Sequence, residues 1–144
     1  VQTCALPISV SSSILGMLDR HQKVAPSSAY IDKVSVPLVR LDRIAPPYLS
    51  DGASVFLKVD TQGFEPQVLR GANRLLDTVT GIQIELSLIP LYEGQRLMLD
   101  MMRDLEARGF VLHGLIPGLS DNASGRMLQA DGVFFRVPAA NEGV

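Results

Sequence analysis

The stretch Ser54–Ala72, SVFLKVDTQGFEPQVLRGA, decides the fold because it has the pattern of a strand that runs straight into a helix. Its first part, VFLKV, is an apolar run that favours a strand, and Asp60 follows where that strand should end. Gly63 supplies a flexible joint, and Pro66 suits the first turn of a helix, where its missing N–H costs nothing. Apolar residues then recur at helical spacing as far as Val79, which predicts a long helix with one buried face.

The position of Asp60 is the first indication of function. An acid at the carboxyl end of a parallel strand lies where open α/β sheets bind their ligands. We therefore expect VFLKV to be a central strand and the Asp60 carboxylate to face an open cleft. Lys58 lies two residues earlier, so its side chain should share the face of Asp60 and pair with it.

The sequence before this unit is less regular. Residues 1–10 show neither alternation nor helical spacing, and we expect an irregular segment that is foreign or truncated. Ser11–Ser13 precede a short apolar stretch, which predicts a capped helix ending near His21. A strand is predicted within Val34–Leu41, and Pro37 places it at an edge or a bend.

Three strands and one helix are predicted after the unit. IQIELSLI, residues 82–89, alternates apolar and polar side chains, as a strand does. A helix with an apolar, methionine-rich stripe should follow, with Gly109 as its C-cap and the methionines in the core. Phe110–Ile116 and Gly132–Val137 are the last predicted strands, with a polar loop between them. Helical crossovers imply parallel strands, and the loop implies an antiparallel closing pair.

Composition excludes several classes of function. A net charge of −2 provides no basic surface for nucleic acid or an anionic membrane. No apolar run approaches the roughly 20 residues that span a bilayer, so we predict a cytoplasmic protein without membrane contact. Cys4 has no second cysteine to pair with, and neither His21 nor His113 has a metal-ligand neighbour at helical or strand spacing, so we expect no disulfide and no metal site.

The segment DTQG, residues 60–63, has the Asp-x-x-Gly pattern of a GTPase switch. The chain contains no G-x-x-x-x-G-K-[ST] loop to hold phosphates and no G-x-G-x-x-G fingerprint. A nucleotide triphosphatase is therefore disfavoured.

With its flanks, the sequence resembles the FkbM family of S-adenosylmethionine-dependent methyltransferases from about Ser11 to Val137. The matching segments, in order, are VSVPLVRLD, FLKVDTQGFEPQVLRGA, IQIELSLIPLYEG, the GF of RGF, and GRMLQADGVFFR. Each segment alone is weak, but their joint occurrence in this order is specific.

The resemblance implies an α/β fold: a partial Rossmann-like class I methyltransferase sheet, mostly parallel with an antiparallel final strand, over residues 11–138, with 139–144 as a tail. It also implies S-adenosylmethionine as the cofactor and a small-molecule hydroxyl, on a sugar or a secondary metabolite, as the acceptor. Family members carry upstream a strand with a glycine-rich loop and a second strand ending in an acid. We find neither in this sequence, so we expect a C-terminal portion that is inactive alone and binds the cofactor poorly.

Position in the predicted sheet and the resemblance together give the candidate site residues. Asp60 is expected to contact the cofactor and, with Glu85, to lie nearest the chemistry, because methyl transfer to a hydroxyl needs alignment and a base. For Asp60 the alternative is that it bonds the N–H of Gln62 or Gly63 to hold the turn, and for Glu85 it is a structural role. The residues expected to border the acceptor are Gln62, Glu65, Tyr92, Glu93, Gln129 and Asp131. For Glu65 the favoured interpretation is a capping role at the helix start, where its charge suits the helix dipole, and for Gln129 and Asp131 hydrogen bonds that fix a loop are an equal alternative.

A second class of function stays open. The chain could be a non-catalytic α/β interaction module that uses its sheet for packing or protein contact. In either case we expect an exposed sheet edge that promotes self-association.

Overall fold

The computed structural model describes residues 2–7 and 11–137. Its strands are β1 Gln2–Pro7, β2 Tyr30–Val36, β3 Val55–Val59, β4 Val79–Ser87, β5 Phe110–Pro117, β6 Ser120–Asp121, β7 Arg126–Met127 and β8 Gln129–Arg136. Its helices are α1 Asp19–Val24, α2 Leu41–Ile44, α3 Glu65–Gly71 and α4 Met98–Ala107, with 3-10 turns at Pro26–Ser28, Pro46–Tyr48 and Leu75–Thr78. The predicted tail, 139–144, lies outside these residues.

The main sheet has four strands in the order β3-β4-β8-β5. β3 and β4 are parallel, and β8 lies antiparallel between β4 and β5, so that β3, β4 and β5 all run in one direction. The α/β architecture and the antiparallel closing pair are confirmed. The position of β8 within the sheet, rather than at its rim, was not foreseen.

The prediction that VFLKV is a central strand is wrong for the described sheet, because β3 lies at its edge. The strands that precede it pair with each other instead: β1 and β2 form a separate antiparallel sheet, with Gln2 opposite Val36. Phe56, whose side chain projects from a face of this sheet beside Phe135, is half exposed. β2 ends at Val36 because Pro37 has no N–H with which to continue the ladder.

The first residues also differ from expectation, since residues 2–7 form β1 although their side chains show no period. The serine run does not cap a helix. α1 begins only at Asp19, and the residue before it makes no side-chain capping bond. The chain between them lies along the segment after β4 instead, where Met17 pairs with Tyr92.

One face of the sheet carries the core. The buried side chains come from the strands, α3, the following 3-10 turn and α4, and they include Ile82, Ile84, Leu86, Leu69, Leu76, Met101, Leu105, Phe110 and Phe134. Met101 is buried here, and Met98 and Met102 are partly buried against the same cluster, so the methionines fill the core as predicted. Gly109 adopts a φ of 83° just after α4, as a C-cap requires.

The helix after Asp60 is shorter than its apolar period predicts. α3 ends at Gly71, and Val79 already belongs to β4. The cause is a tertiary contact: Oδ1 of Asp42 accepts the N–H groups of Arg74 and Leu75 at 3.0 Å each. These bonds stabilise a 3-10 turn that still buries Leu75, so the apolar spacing is satisfied without a continuous helix.

Candidate functional site

Asp60 leaves the carboxyl end of β3 with a side chain that is 41% exposed. Its Oδ2 lies 3.8 Å from Nζ of Lys58, an exposed ion pair that confirms the predicted pairing. Such a pair adds little stability in water. The carboxylate therefore faces solvent, not packed hydrocarbon.

Asp60 lines an open cavity of about 780 Å³ at the start of α3. Its walls come from three segments of the chain: Ser12–Ile14, Leu38–Leu41, and the region from Asp60 to Gly71 that includes Thr61, Phe64, Gln67 and Val68. Most of this wall is apolar, and Asp60 is the acidic residue in it. Cavities of this kind, apolar with a few polar groups, are the usual shape of a small-molecule site.

Glu65 fixes the turn between β3 and α3. Its Oε1 accepts the N–H of Thr61 at 2.9 Å, the Thr61 hydroxyl at 3.2 Å and the N–H of Gly63 at 3.1 Å. Burial raises the pKa of Glu65, and these hydrogen bonds oppose that rise. Glu65 thus has the turn-holding role considered for Asp60, and its buried carboxylate lies against the turn and not in the cavity wall.

Gln62 occupies the centre of a buried polar network. Its Nε2 donates to Oδ1 of Asp60 at 2.8 Å and to Oε1 of Glu85 at 3.2 Å, and its Oε1 accepts the Tyr92 hydroxyl at 2.7 Å. Its backbone has a φ of 53°, which costs a residue with a Cβ about 1–2 kcal/mol. The Ser13 hydroxyl donates to its carbonyl oxygen at 2.7 Å and helps to hold this conformation.

Glu85 is on β4, the strand next to β3. The Gln62 amide joins its carboxyl group to that of Asp60. Burial, and then the negative charge of Asp60, raise the pKa of Glu85 to about 8. Its Oε2 is buried and has no hydrogen-bond partner among the described residues. A carboxyl group in this setting is mainly protonated at neutral pH, and it does not line the cavity.

Tyr92 and Glu93 follow β4 and have different surroundings. The Tyr92 ring is fully buried and packs edge-on against His21, with ring centroids 5.1 Å apart. Burial raises the pKa of Tyr92 and lowers that of His21. Glu93 is exposed and lies beside Gly16, whose carbonyl oxygen accepts the Glu93 N–H at 2.8 Å.

Gln129 and Asp131 belong to β8 and not to the loop before it, because β8 begins three residues earlier than predicted. Asp131 is opposite Glu85, and its Oδ2 accepts the Gln83 amide at 2.6 Å. Gln129 is buried and donates to the Ser87 hydroxyl at 3.3 Å. Both side chains continue the polar face of β4 across to β8.

The structure thus brings Asp60, Gln62, Glu85 and Tyr92 into one network, and it separates Glu93 and Gln129 from it. Two residues that support this network, Ser13 and Gln95, were not predicted from the sequence pattern. Ser13 resembled a helix cap, and Gln95, whose Oε1 accepts the Leu91 N–H at 2.9 Å, gave no signal at all. Their roles depend on partners far away in sequence, which local spacing does not reveal.

Among the described residues, no group of three or more His, Cys, Asp and Glu side chains is placed to hold a metal ion. No helix in the same part of the chain has the length and apolarity that crossing a membrane requires.

Comparison with known proteins adds an independent observation. Residues 3–112, most of the chain, match the family model described as the methyltransferase FkbM domain. The match begins upstream of Ser11 and ends before the last of the resembling segments. Neither the comparison with curated proteins nor that with solved structures found a match.

Proposed function

This chain belongs to the methyltransferase FkbM domain family, and on that basis we propose that it carries the acceptor side of an S-adenosylmethionine-dependent O-methyltransferase site. The observation that carries the proposal is the Asp60 carboxylate, which is accessible at a strand end and lines an open, mainly apolar cavity. Asp60 orients an acceptor hydroxyl and takes its proton. The proposed acceptor is a small molecule such as a sugar or a secondary metabolite.

The cavity residues fit one end of the cofactor. S-adenosylmethionine, when bound, supplies an electrophilic methyl group on a positively charged sulfur. The Asp60 carboxylate suits a nearby cation, and Phe64 and Leu38 suit an apolar group. A glycine-rich loop for the methionine part is not found in the 144 residues, so we assign this chain only the reacting end of the site.

The strand order supports the same proposal. An antiparallel strand inserted between the last two parallel ones suits a Rossmann-like class I methyltransferase sheet. The sequence analysis also argued from a central position of β3, and the edge position of this strand in the described sheet removes that support. The proposal therefore depends on the family match and on the openness of Asp60 and not on the place of β3 in the sheet.

The test compares two aspartates in the protein as expressed from its gene. Asp60→Asn removes the proposed base, and Asp77→Asn makes the same change in an exposed turn at the opposite end of β4. Mass spectrometry of small molecules from producing cells should show a methylated product that D60N abolishes and D77N retains. The methyl-transfer proposal fails if no methylated species depends on the protein.

A separate observation favours the interaction module. In the part of the chain that the structure describes, β3 has one unpaired edge, and the half-exposed, neighbouring rings of Phe56 and Phe135 form an apolar strip on the same sheet. We propose that two copies associate through this edge. Sedimentation should show a dimer that Phe56→Lys dissolves, and a monomer at high concentration would contradict it. Absence of heat on titration with S-adenosylhomocysteine would favour the module over the enzyme.

A further inference from the structure

The side-chain amide of Gln62 has only one orientation that satisfies its neighbours. Two carboxyl oxygens, Oδ1 of Asp60 and Oε1 of Glu85, lie at one end of the amide. The Asp60 carboxylate, when ionised, can only accept hydrogen bonds, so the NH₂ group of Gln62 must face Asp60. The amide oxygen then faces Tyr92, whose hydroxyl is the donor that remains.

The backbone of Gln62 is held as firmly as its side chain. The Ser13 hydroxyl donates to its carbonyl oxygen, and Leu15 and Tyr92 enclose the next residue so closely that a Cβ on Gly63 would lie 2.9 Å from a Leu15 methyl carbon. Gln62 is itself buried. A buried amide with fixed ends can orient a neighbour that is exposed.

That neighbour is Asp60. Its Oδ1 accepts the Gln62 amide, and among the described residues the contact recorded for its Oδ2 is the exposed Lys58 at 3.8 Å. One oxygen is therefore anchored on the protein side, and the other is available to the cavity. An exposed aspartate without such an anchor would sample several rotamers, and a base must be held in place to be effective.

We propose that Gln62 is a positioning residue that fixes the Asp60 carboxylate, and that the Tyr92 hydroxyl fixes the Gln62 amide for this task. The proposal rests on the proposed function, in which Asp60 receives the acceptor proton. Gln62 and Tyr92 then act through Asp60, whereas the sequence analysis expected both to contact the acceptor.

The experiment measures the Asp60 side chain in the full chain, without cofactor or acceptor. Three-bond couplings to Asp60 Cγ report its χ1 rotamer by NMR, and we expect a single rotamer in the unmodified chain. Gln62→Leu should give rotamer averaging. Tyr92→Phe, which keeps the ring but loses the donor, should give averaging in the same direction, and Tyr48→Phe on an exposed ring should change nothing.

A second measurement uses Glu85. The Gln62 hydrogen bond lowers the pKa of Glu85, and the charge of Asp60 raises it. The titration of the Glu85 carboxyl carbon should therefore move to higher pH in Gln62→Leu and Tyr92→Phe, and to lower pH in Asp60→Asn. If Tyr92 contributed only packing, the Glu85 titration in Tyr92→Phe would be the same as in the unmodified chain, and the role proposed for the hydroxyl would be wrong.

Hydrogen exchange covers the case in which the variants do not fold. In the unmodified chain, the side-chain amide protons of Gln62 should exchange with water far more slowly than those of the exposed Gln67 in α3. Equal exchange rates, or an Asp60 rotamer that stays fixed in Gln62→Leu, would overturn the proposal. Neither result depends on methyl transfer, so a failure here and a failure of the enzyme proposal are distinguishable.

Discussion

The Tyr92 hydroxyl donates a hydrogen bond of 2.7 Å to Oε1 of Gln62, and both side chains are buried. This bond links the segment after β4 to the turn after β3. It therefore connects an apolar cluster separate from the main core, formed by Leu91, Tyr92 and Leu128, to the candidate site.

Removing the Tyr92 hydroxyl should lower the stability of the fold measurably. Tyr92→Phe leaves the Gln62 amide oxygen buried without a donor, and we expect the free energy of unfolding to fall by about 1–3 kcal/mol. Urea unfolding measures it. Tyr48→Phe, at a ring that is 87% exposed, should stay within about 0.5 kcal/mol. Equal stability of the two variants would show that the bond contributes nothing.

Glu85 should make the stability depend on pH. Its pKa rises from the ordinary 4.5 to about 8 on folding, so the folded chain keeps a proton that the unfolded chain releases between those values. Stability should therefore fall as pH rises through that window, by at most about 1.4 kcal/mol per pH unit, and the contribution should be constant above it.

Glu85→Gln tests this because the amide resembles the protonated acid in shape. The variant should match the unmodified chain near pH 4.5 and become increasingly more stable than it towards pH 8. The buried His21 and Glu65 also titrate, so the difference between variant and parent is the quantity to follow. Glu106→Gln on the exposed face of α4 should show no such divergence, and a constant difference for Glu85→Gln would contradict the prediction.

Gly132 is a position in β8 where the surrounding core leaves no space for a side chain. A Cβ there would lie 2.5 Å from a ring carbon of Phe134 and 2.6 Å from a methyl carbon of Leu86, both buried. Gly132→Ala should therefore lower the free energy of unfolding by about 1–3 kcal/mol, because a packed core cannot yield. Gly114→Ala on β5, where an added Cβ would have no atom within 4 Å apart from those of its chain neighbours, is the control and should be tolerated.

Asp42 should be required for the turn that replaces the end of the predicted helix. The hydrogen bond from Arg40, more than the backbone N–H groups, lowers the pKa of the Asp42 carboxyl. The ionised Asp42 carboxylate therefore stabilises the fold at pH values above the ordinary pKa of 3.8. This stabilisation is lost as the pH falls below that value. Asp42→Ala should lower the melting temperature at pH 7 more than Asp42→Asn, which keeps an acceptor oxygen. Identical melting of all three chains would exclude this role.

Much of the fold was predictable from local pattern. The alternation of IQIELSLI, the stripe of α4 and the apolar run of VFLKV each specify an element, because one face of each must be buried. The extent of α3 and the start of β8 were not predictable. They depend on Asp42 and on Ser87, which lie 32 and 42 residues away from Arg74 and Gln129 respectively.

The sequence by itself determined that the chain is an α/β protein of the FkbM type, with an acid at the end of a strand. A strand followed by a helix places that acid, by local geometry alone, at the edge where open α/β sheets in general bind their ligands. Only the tertiary structure decided that β3 is an edge strand of the described sheet, that Glu65 and not Asp60 holds the turn, and that Gln62 joins Asp60 to Glu85 and Tyr92. Strand order, burial and hydrogen-bond partners join residues distant in sequence, so no local spacing encodes them.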